Sequence, residues 1–177
     1  SIRDLVFTMT DILIYAAIYT LTMIGIVSSF SLLLSVPFLI WLGLYILSLI
    51  FFVPKLIQLS KNQADARSLM TGRITDAYTN INLVKLFSHS GRESDYAKKS
   101  MSDFMVTVHK QMRQVTLIEV VNHSLSVFLI ISATALSIYL WTTNTIDIGI
   151  VGAATAMSLR LNGISHWIMW EIASLFE

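Results

Sequence analysis

Cysteine is absent from the 177 residues. That excludes a disulfide framework and any thiolate metal site. Charge is scarce as well: Asp, Glu, Lys and Arg make up 13% of the chain, against about 25% in a soluble domain. Hydrophobic residues reach 55% and the mean hydropathy is +0.69. A chain this short leaves much of its surface exposed, so a water-soluble globule could not hide so many apolar side chains. The formal net charge is +1, and nothing in that balance points to a nucleic-acid partner. No Gly-x-x-x-x-Gly-Lys-Ser/Thr phosphate loop occurs anywhere, which rules out ATP binding by that device within these residues. Ser1–Asp11 carries Arg3, Asp4 and Asp11 and no signal-peptide cleavage pattern. The chain opens without Met and stops in a helical pattern at Glu171–Glu177. The expectation is a piece of a longer protein.

The charges that exist are segregated. From Ile12 to Pro54 runs a stretch of 43 residues with none. Crossing about 30 Å of hydrocarbon takes roughly 20 residues, so this run holds two spans and a turn, placed at Val27–Ser35 where Ser28, Ser29, Ser31 and Ser35 cluster. Pro37 suits the first turn of the second helix, where its missing N–H would be unpaired anyway. Tyr15, Tyr19, Trp41 and Tyr45 serve either as interface anchors or as helix-packing residues. Val120–Ile146 is a second uncharged run, Thr142–Asp147 a polar turn, and Gly149–Trp170 an apolar stretch interrupted by Arg160. The predicted spans are about 12–30, 34–54, 120–141 and 149–171, in an all-α membrane protein. Of 12 Lys and Arg residues, ten lie between Lys55 and Arg113, and neither short turn has one. Basic residues stay cytoplasmic. That places 55–119 inside, both turns outside, and both ends of the chain on the cytosolic side.

Within 55–119 apolar residues recur at helical spacing: Met70, Ile74, Ala77, Tyr78, Ile81 and Val84, then Met101, Phe104, Met105, Val108, Met112 and Val115. Ser88-His89-Ser90-Gly91 separates the two stripes and reads as a reversal. Two arms of roughly 28–32 residues, about 42–48 Å each at 1.5 Å per residue, form a cytosolic helical hairpin whose tip lies near 84–93.

The tip carries a resemblance. Asp76-Ala77-Tyr78-Thr79-Asn80-Ile81-Asn82-Leu83-Val84-Lys85-Leu86-Phe87, with Gly72 before it and Glu93 and Tyr96 after it, resembles the second intracellular loop of ABC exporter transmembrane domains, in which Ile-x-x-Val-Lys-x-Phe precedes a Glu and an aromatic residue. Span order and arm length are similar too. The resemblance covers nearly the whole chain, as helices three to six of a six-helix half. It implies a coupling helix at Leu86–Arg92 that docks on a nucleotide-binding domain, with Leu86 and Phe87 as an apolar plug ringed by Ser88, His89, Ser90 and Arg92. The other reading of Phe87 is a staple between the arms. The resemblance further implies ATP and Mg in a domain beyond Glu177, two helices before Ser1, and a second transmembrane half in a homo- or heterodimer. The full-length protein would then be an ATP-hydrolysing translocase in a bacterial inner membrane, surrounded by lipid.

Arg160 is the sharpest single residue. Counted from Gly149 it lies about 16 Å along its helix, near the bilayer centre, where an arginine costs about 2.5–3.5 kcal/mol on insertion scales and so needs a cavity or a partner. Arg160, Gly163, Ile164, Trp167 and Glu171 share one helical stripe, and the resemblance makes that helix a wall of the translocation pathway. Two readings stand side by side: an anion-recognising group in a cavity, or an arginine satisfied between helices by Glu119, Glu171 or backbone carbonyls. Asn122 and His123 sit at the start of the third span with Glu119 one turn before. Asn162 and His166 lie four apart on the face away from Arg160. No two histidines have a local ligand spacing, so interhelical hydrogen bonds are expected there and no metal. Asp147 caps the helix that follows it.

An ATP-driven exporter core is the first function that fits. A membrane sensor signalling through the hairpin is the alternative, but both outside turns are shorter than ten residues and leave little to sense with. An intramembrane enzyme would need paired carboxylates, a Ser/His set or a His-rich metal motif in the spans, and none is present. Substrate identity is not written in these residues.

Overall fold

The computed structural model describes the backbone of residues 2–81 and 90–174, with side chains at 14–81, 91 and 94–172. The described chain is all helical: α1 (Ile2–Phe30), α2 (Leu32–Thr79), α3 (Ser90–Thr142) and α4 (Ile148–Ser174). By length and composition α2 and α3 can each cross a bilayer, and Ile14–Phe30 of α1 is a shorter apolar stretch. In α4, Arg160, Asn162 and His166 interrupt the apolar run.

The helices end where side chains and backbone let them. Only Ser31 separates α1 from α2, and the Leu34 N–H donates to its carbonyl at 3.1 Å. The other serines of this cluster stay helical. Ser28, Ser29 and Ser35 donate their hydroxyls to Ile24, Ile26 and Leu32 carbonyls, each at 2.7 Å. A serine satisfied within its own helix brings no unpaired group into an apolar setting. After α3, Asn144 takes a φ of 55°. Its N–H reaches the Trp141 carbonyl and the Thr145 N–H the Leu140 carbonyl, both at 2.9 Å. That pair of reversed bonds is a Schellman stop with asparagine in the left-handed position. Asp147 then opens α4, its carbonyl accepting from the Ile150 N–H at 2.9 Å.

Two compact units arise from these helices. One comprises Ser1–Phe51 and Ile118–Glu177, the other Phe52–Leu117. On α2 the division falls two residues before Pro54, whose missing N–H removes one rung of the helical ladder.

The first unit is built on helical stripes. Val27, then Leu34, Phe38, Trp41 and Tyr45 of α2, Leu129, Ala133 and Leu140 of α3, and Ala154 and Leu161 of α4 make one buried cluster. Ala16 of α1 meets Ile168 of α4 in a smaller one. Small polar residues fill the same stripes: Ser48, Ser126, Ser137, Ser158 and Ser165 are buried. Meanwhile Leu47, Ile50, Phe51, Ile131 and Tyr139 stand exposed. Serines inside and large apolar side chains outside invert the order of a soluble bundle. It suits helices that pack closely through small residues within lipid.

The second unit pairs the arms of α2 and α3. Buried and half-buried positions follow a 3.5-residue repeat: Phe52, Leu56, Leu59, Gln63, Ala66, Met70, Arg73 and Ala77 on α2, and Ala97, Ser100, Phe104, Thr107, Gln111 and Gln114 on α3. This corrects the apolar stripe expected for the second arm only in part, since Val108 and Val115 stay half-buried. Phe104 belongs to the seam, but Met101, Met105 and Met112 are exposed. Small and hydrogen-bonding residues, not the methionines, face the partner arm.

Candidate functional site

The predicted pathway stripe sits on α4 opposite the side chains of α1. Arg160, Gly163, Ile164 and Trp167 line one cavity of about 640 Å³, with Tyr15 as its lining residue from α1 among the described residues. Helical spacing of three and four puts the α4 group on a single face. Glu171 continues the stripe but is not part of this lining.

Aromatic side chains give the cavity its wall. The Tyr15 ring meets Trp167 edge-on, with centroids 6.2 Å apart. Tyr15 and Tyr19, one helical turn apart, lie 5.7 Å apart. The Arg160 guanidinium rests over the Tyr19 ring, 5.4 Å from its centroid. That is a cation–π contact, and it is the contact the structure gives Arg160 among the described residues. Of the two readings of Arg160, pairing with Glu119 does not occur: Glu119 is exposed on α3, and the one ion pair between described side chains is Lys98–Asp95 at 3.8 Å. A Cβ built on Gly163 meets nothing within 4 Å, so the floor beside Arg160 is open space.

A second cavity, about 320 Å³, adjoins through Ile164, which lines both. It runs among Ala16 and Thr20 of α1, Trp41 and Tyr45 of α2, and Ile168 of α4. Trp41 and Tyr45 stack at 5.2 Å with a 10° tilt, and the Tyr45 hydroxyl donates to the Ser165 carbonyl at 3.4 Å. Trp41 is buried, yet its indole N–H has no partner among the described residues. Trp41 and Tyr45 thus pack helices here, while Tyr15 lines the Arg160 cavity and Tyr19 lies under the guanidinium. The sequence left that choice open.

The remaining polar residues of this unit do not assemble into a reaction centre. His123 of α3 and His166 of α4 come together, with ring centroids 5.1 Å apart. No group of three or more His, Cys, Asp or Glu side chains able to hold a metal occurs among the described residues. Asn122 is buried, but its carbonyl oxygen, like the Ser126 hydroxyl one turn on, finds no partner among them. An interhelical hydrogen bond does occur elsewhere, between Thr134 of α3 and Thr155 of α4 at 3.2 Å.

The predicted coupling residues Leu86, Phe87, Ser88 and His89 lie outside the described residues, as do the side chains of Ser90 and Arg92. The arms that flank them are described, and a polar clamp joins them. Arg73 of α2 donates to the Ser100 hydroxyl of α3 at 2.8 Å and covers the Tyr96 ring at 4.6 Å. Ser100 is 3% exposed and donates its O–H to the Tyr96 carbonyl at 3.0 Å, which leaves its lone pairs to the guanidinium. A second rung joins the Gln111 amide to the Ser60 hydroxyl at 3.1 Å. No motif marks these pairs in the sequence; the 3.5-residue repeat of small and polar residues was the available signal.

Comparison with known proteins gives two findings. Residues 1–165 match the family described as the ABC transporter transmembrane region. A Haemophilus influenzae protein described as an uncharacterized ABC transporter ATP-binding protein is 47% identical over 177 residues, covering 100% of this chain and 29% of the relative. The chain thus spans under a third of the length of the curated relative it matches.

Proposed function

The chain belongs to the ABC transporter transmembrane region family, and from that premise we propose that it forms the translocation pathway of an ATP-driven exporter. The observation that carries this reading is the convergence of Arg160, Gly163, Ile164 and Trp167 with Tyr15 around one wide, open groove between α1 and α4. A pathway through lipid needs a concave face that carries a polar group on an otherwise apolar wall, and Arg160 stands exposed on this one. In this reading the hairpin of α2 and α3 carries the movement of a nucleotide-binding domain, fused in the same full-length protein, to that wall. ATP and Mg act in that domain. A second transmembrane half, as a homo- or heterodimer, closes the pathway, and the assembly sits in a bacterial inner membrane.

Cysteine labelling in the full-length protein tests the reading. The chain has no native cysteine, and open space surrounds Gly163, so Gly163→Cys is a clean reporter. An impermeant thiol reagent is expected to reach it from the cytosolic side without nucleotide, and from the outside once ATP and vanadate trap the closed motor. Labelling that ignores nucleotide would refute alternating access and favour a hairpin that signals instead of driving transport.

A further inference from the structure

His123 of α3 and His166 of α4 stand side by side, with ring centroids 5.1 Å apart and planes tilted by 31°. Both side chains are exposed. Among the described residues each ring has the other as its contact, and neither has a hydrogen bond or an ion pair. A neutral imidazole keeps one nitrogen lone pair free to accept. Two unclaimed lone pairs thus lie on neighbouring helices at one accessible place. Their register is fixed from elsewhere. Thr134 of α3 bonds Thr155 of α4 at 3.2 Å. His123 precedes Thr134 by eleven residues, and His166 follows Thr155 by eleven, which is about three turns of helix. The two pairs therefore belong to one antiparallel seam, and the seam brings the rings together. Local ligand spacing could not reveal this, because each helix supplies a single ring.

We infer that His123 and His166 together bind one divalent transition-metal ion, Zn²⁺ or Cu²⁺, as a two-point clip between α3 and α4. The separation suits it. An ion held tetrahedrally at about 2.0–2.1 Å by one nitrogen of each ring sets the centroids roughly 5 Å apart. Imidazole is a ligand that these metals take, whereas Mg²⁺ and Ca²⁺ prefer oxygen. No third His, Cys, Asp or Glu completes a set among the described residues, so water fills the remaining positions and the ion exchanges. The clip lies within the first compact unit, and neither histidine lines the groove of Arg160, Gly163, Ile164 and Trp167. It is therefore a site separate from the pathway proposed above and does not depend on that reading. Filled, it adds a second tie between α3 and α4, three turns from the threonine pair.

The test uses the full-length protein in nanodiscs, purified without a polyhistidine tag. Cu²⁺ reports the ligands through its EPR spectrum, and Zn²⁺ reports stability through the unfolding temperature. The unaltered protein is expected to bind Cu²⁺ with nitrogen splitting from two imidazoles, and Zn²⁺ to raise the unfolding temperature reversibly with EDTA. His123→Ala or His166→Ala should each weaken binding by more than the roughly tenfold that loss of an outer-shell partner costs. The double variant should bind no worse than either single one, because a clip needs both rings. His109→Ala, on the exposed arm of α3, should change nothing. Should an alanine variant fail to fold, His123→Gln and His166→Gln keep a polar side chain and are read with the same expected loss. Half the bound ions lost at unchanged affinity in each single variant would show two independent surface histidines and overturn the inference. A Zn²⁺ response identical in the unaltered protein and the double variant overturns it too, since the metal would then act elsewhere and the rings would only pack.

Discussion

A single left-handed residue ends α3. At Asn144, with φ of 55°, the backbone enters a region that costs most L-residues about 1–2 kcal/mol. Asparagine tolerates it, glycine does so without penalty, and a β-branched side chain does so worst. Asn144→Gly is therefore expected to leave the melting temperature in detergent unchanged or slightly raised. Asn144→Val should lower stability by about 1–2 kcal/mol, read as a fall in that temperature. Equal behaviour of the two variants would mean the stop is set by Asp147 and not by Asn144. The sequence did announce a turn at Thr142–Asp147 through its polar run, but not which residue reverses the chain, because Thr, Asn and Asp all favour turns. Arg160 shows the same limit. Its stripe on α4 comes from helical spacing, whereas its contact with Tyr19 joins residues far apart in sequence, and helical period says nothing about which face of α1 meets α4.

At the scale of elements, the paired arms show why hydrophobic periodicity alone misplaces a seam. Helical period in this segment is plain, and so is the existence of two long helices. The facing side chains are not the most apolar ones. Gln111 is buried and bonds Ser60, and Arg73 is held by Ser100 and Tyr96, while Met101, Met105 and Met112 point away. Small and polar residues let two helices approach and then fix their register by directional bonds, as a polar residue does at a coiled-coil seam position. Gln111→Ala strands the buried Ser60 hydroxyl and should destabilise by about 1–3 kcal/mol, while Gln111→Leu combined with Ser60→Ala should cost less in thermal melts, since neither member of this pair is then left without the other. Arg73→Ala should broaden the distance distribution between spin labels at exposed Thr71 and Ser102. Arg73→Lys keeps the charge but not the planar stack, so an intermediate effect is expected. An unchanged distance distribution in Arg73→Ala would show that the clamp does not set the register.

For the whole molecule, the decisive pattern is the distribution of charge along the chain. Ten of 12 basic residues lie between Lys55 and Arg113, within the bounds Phe52–Leu117 of the second compact unit. The breaks at Ser31 and between Thr142 and Ile148 contain none. Moving a cluster of lysines and arginines across a bilayer is strongly disfavoured, and short loops obey that bias most closely. The arms should therefore lie on the cytosolic side and both breaks outside. Single cysteines can be read directly because the chain has none of its own. Ser29 and Thr143 are exposed beside the two breaks, and Ser68 and Gly91 are exposed on the arms. Ser60 would be a poor choice, since it is buried against Gln111 and would resist labelling on either side. In intact cells an impermeant maleimide is expected to modify Ser29→Cys and Thr143→Cys, and to modify Ser68→Cys and Gly91→Cys only after the membrane is opened. Strong labelling of Gly91→Cys in intact cells would reverse the orientation, carry the hairpin out of reach of any ATP-driven motor in the cytosol, and so remove the physical basis for coupling through it.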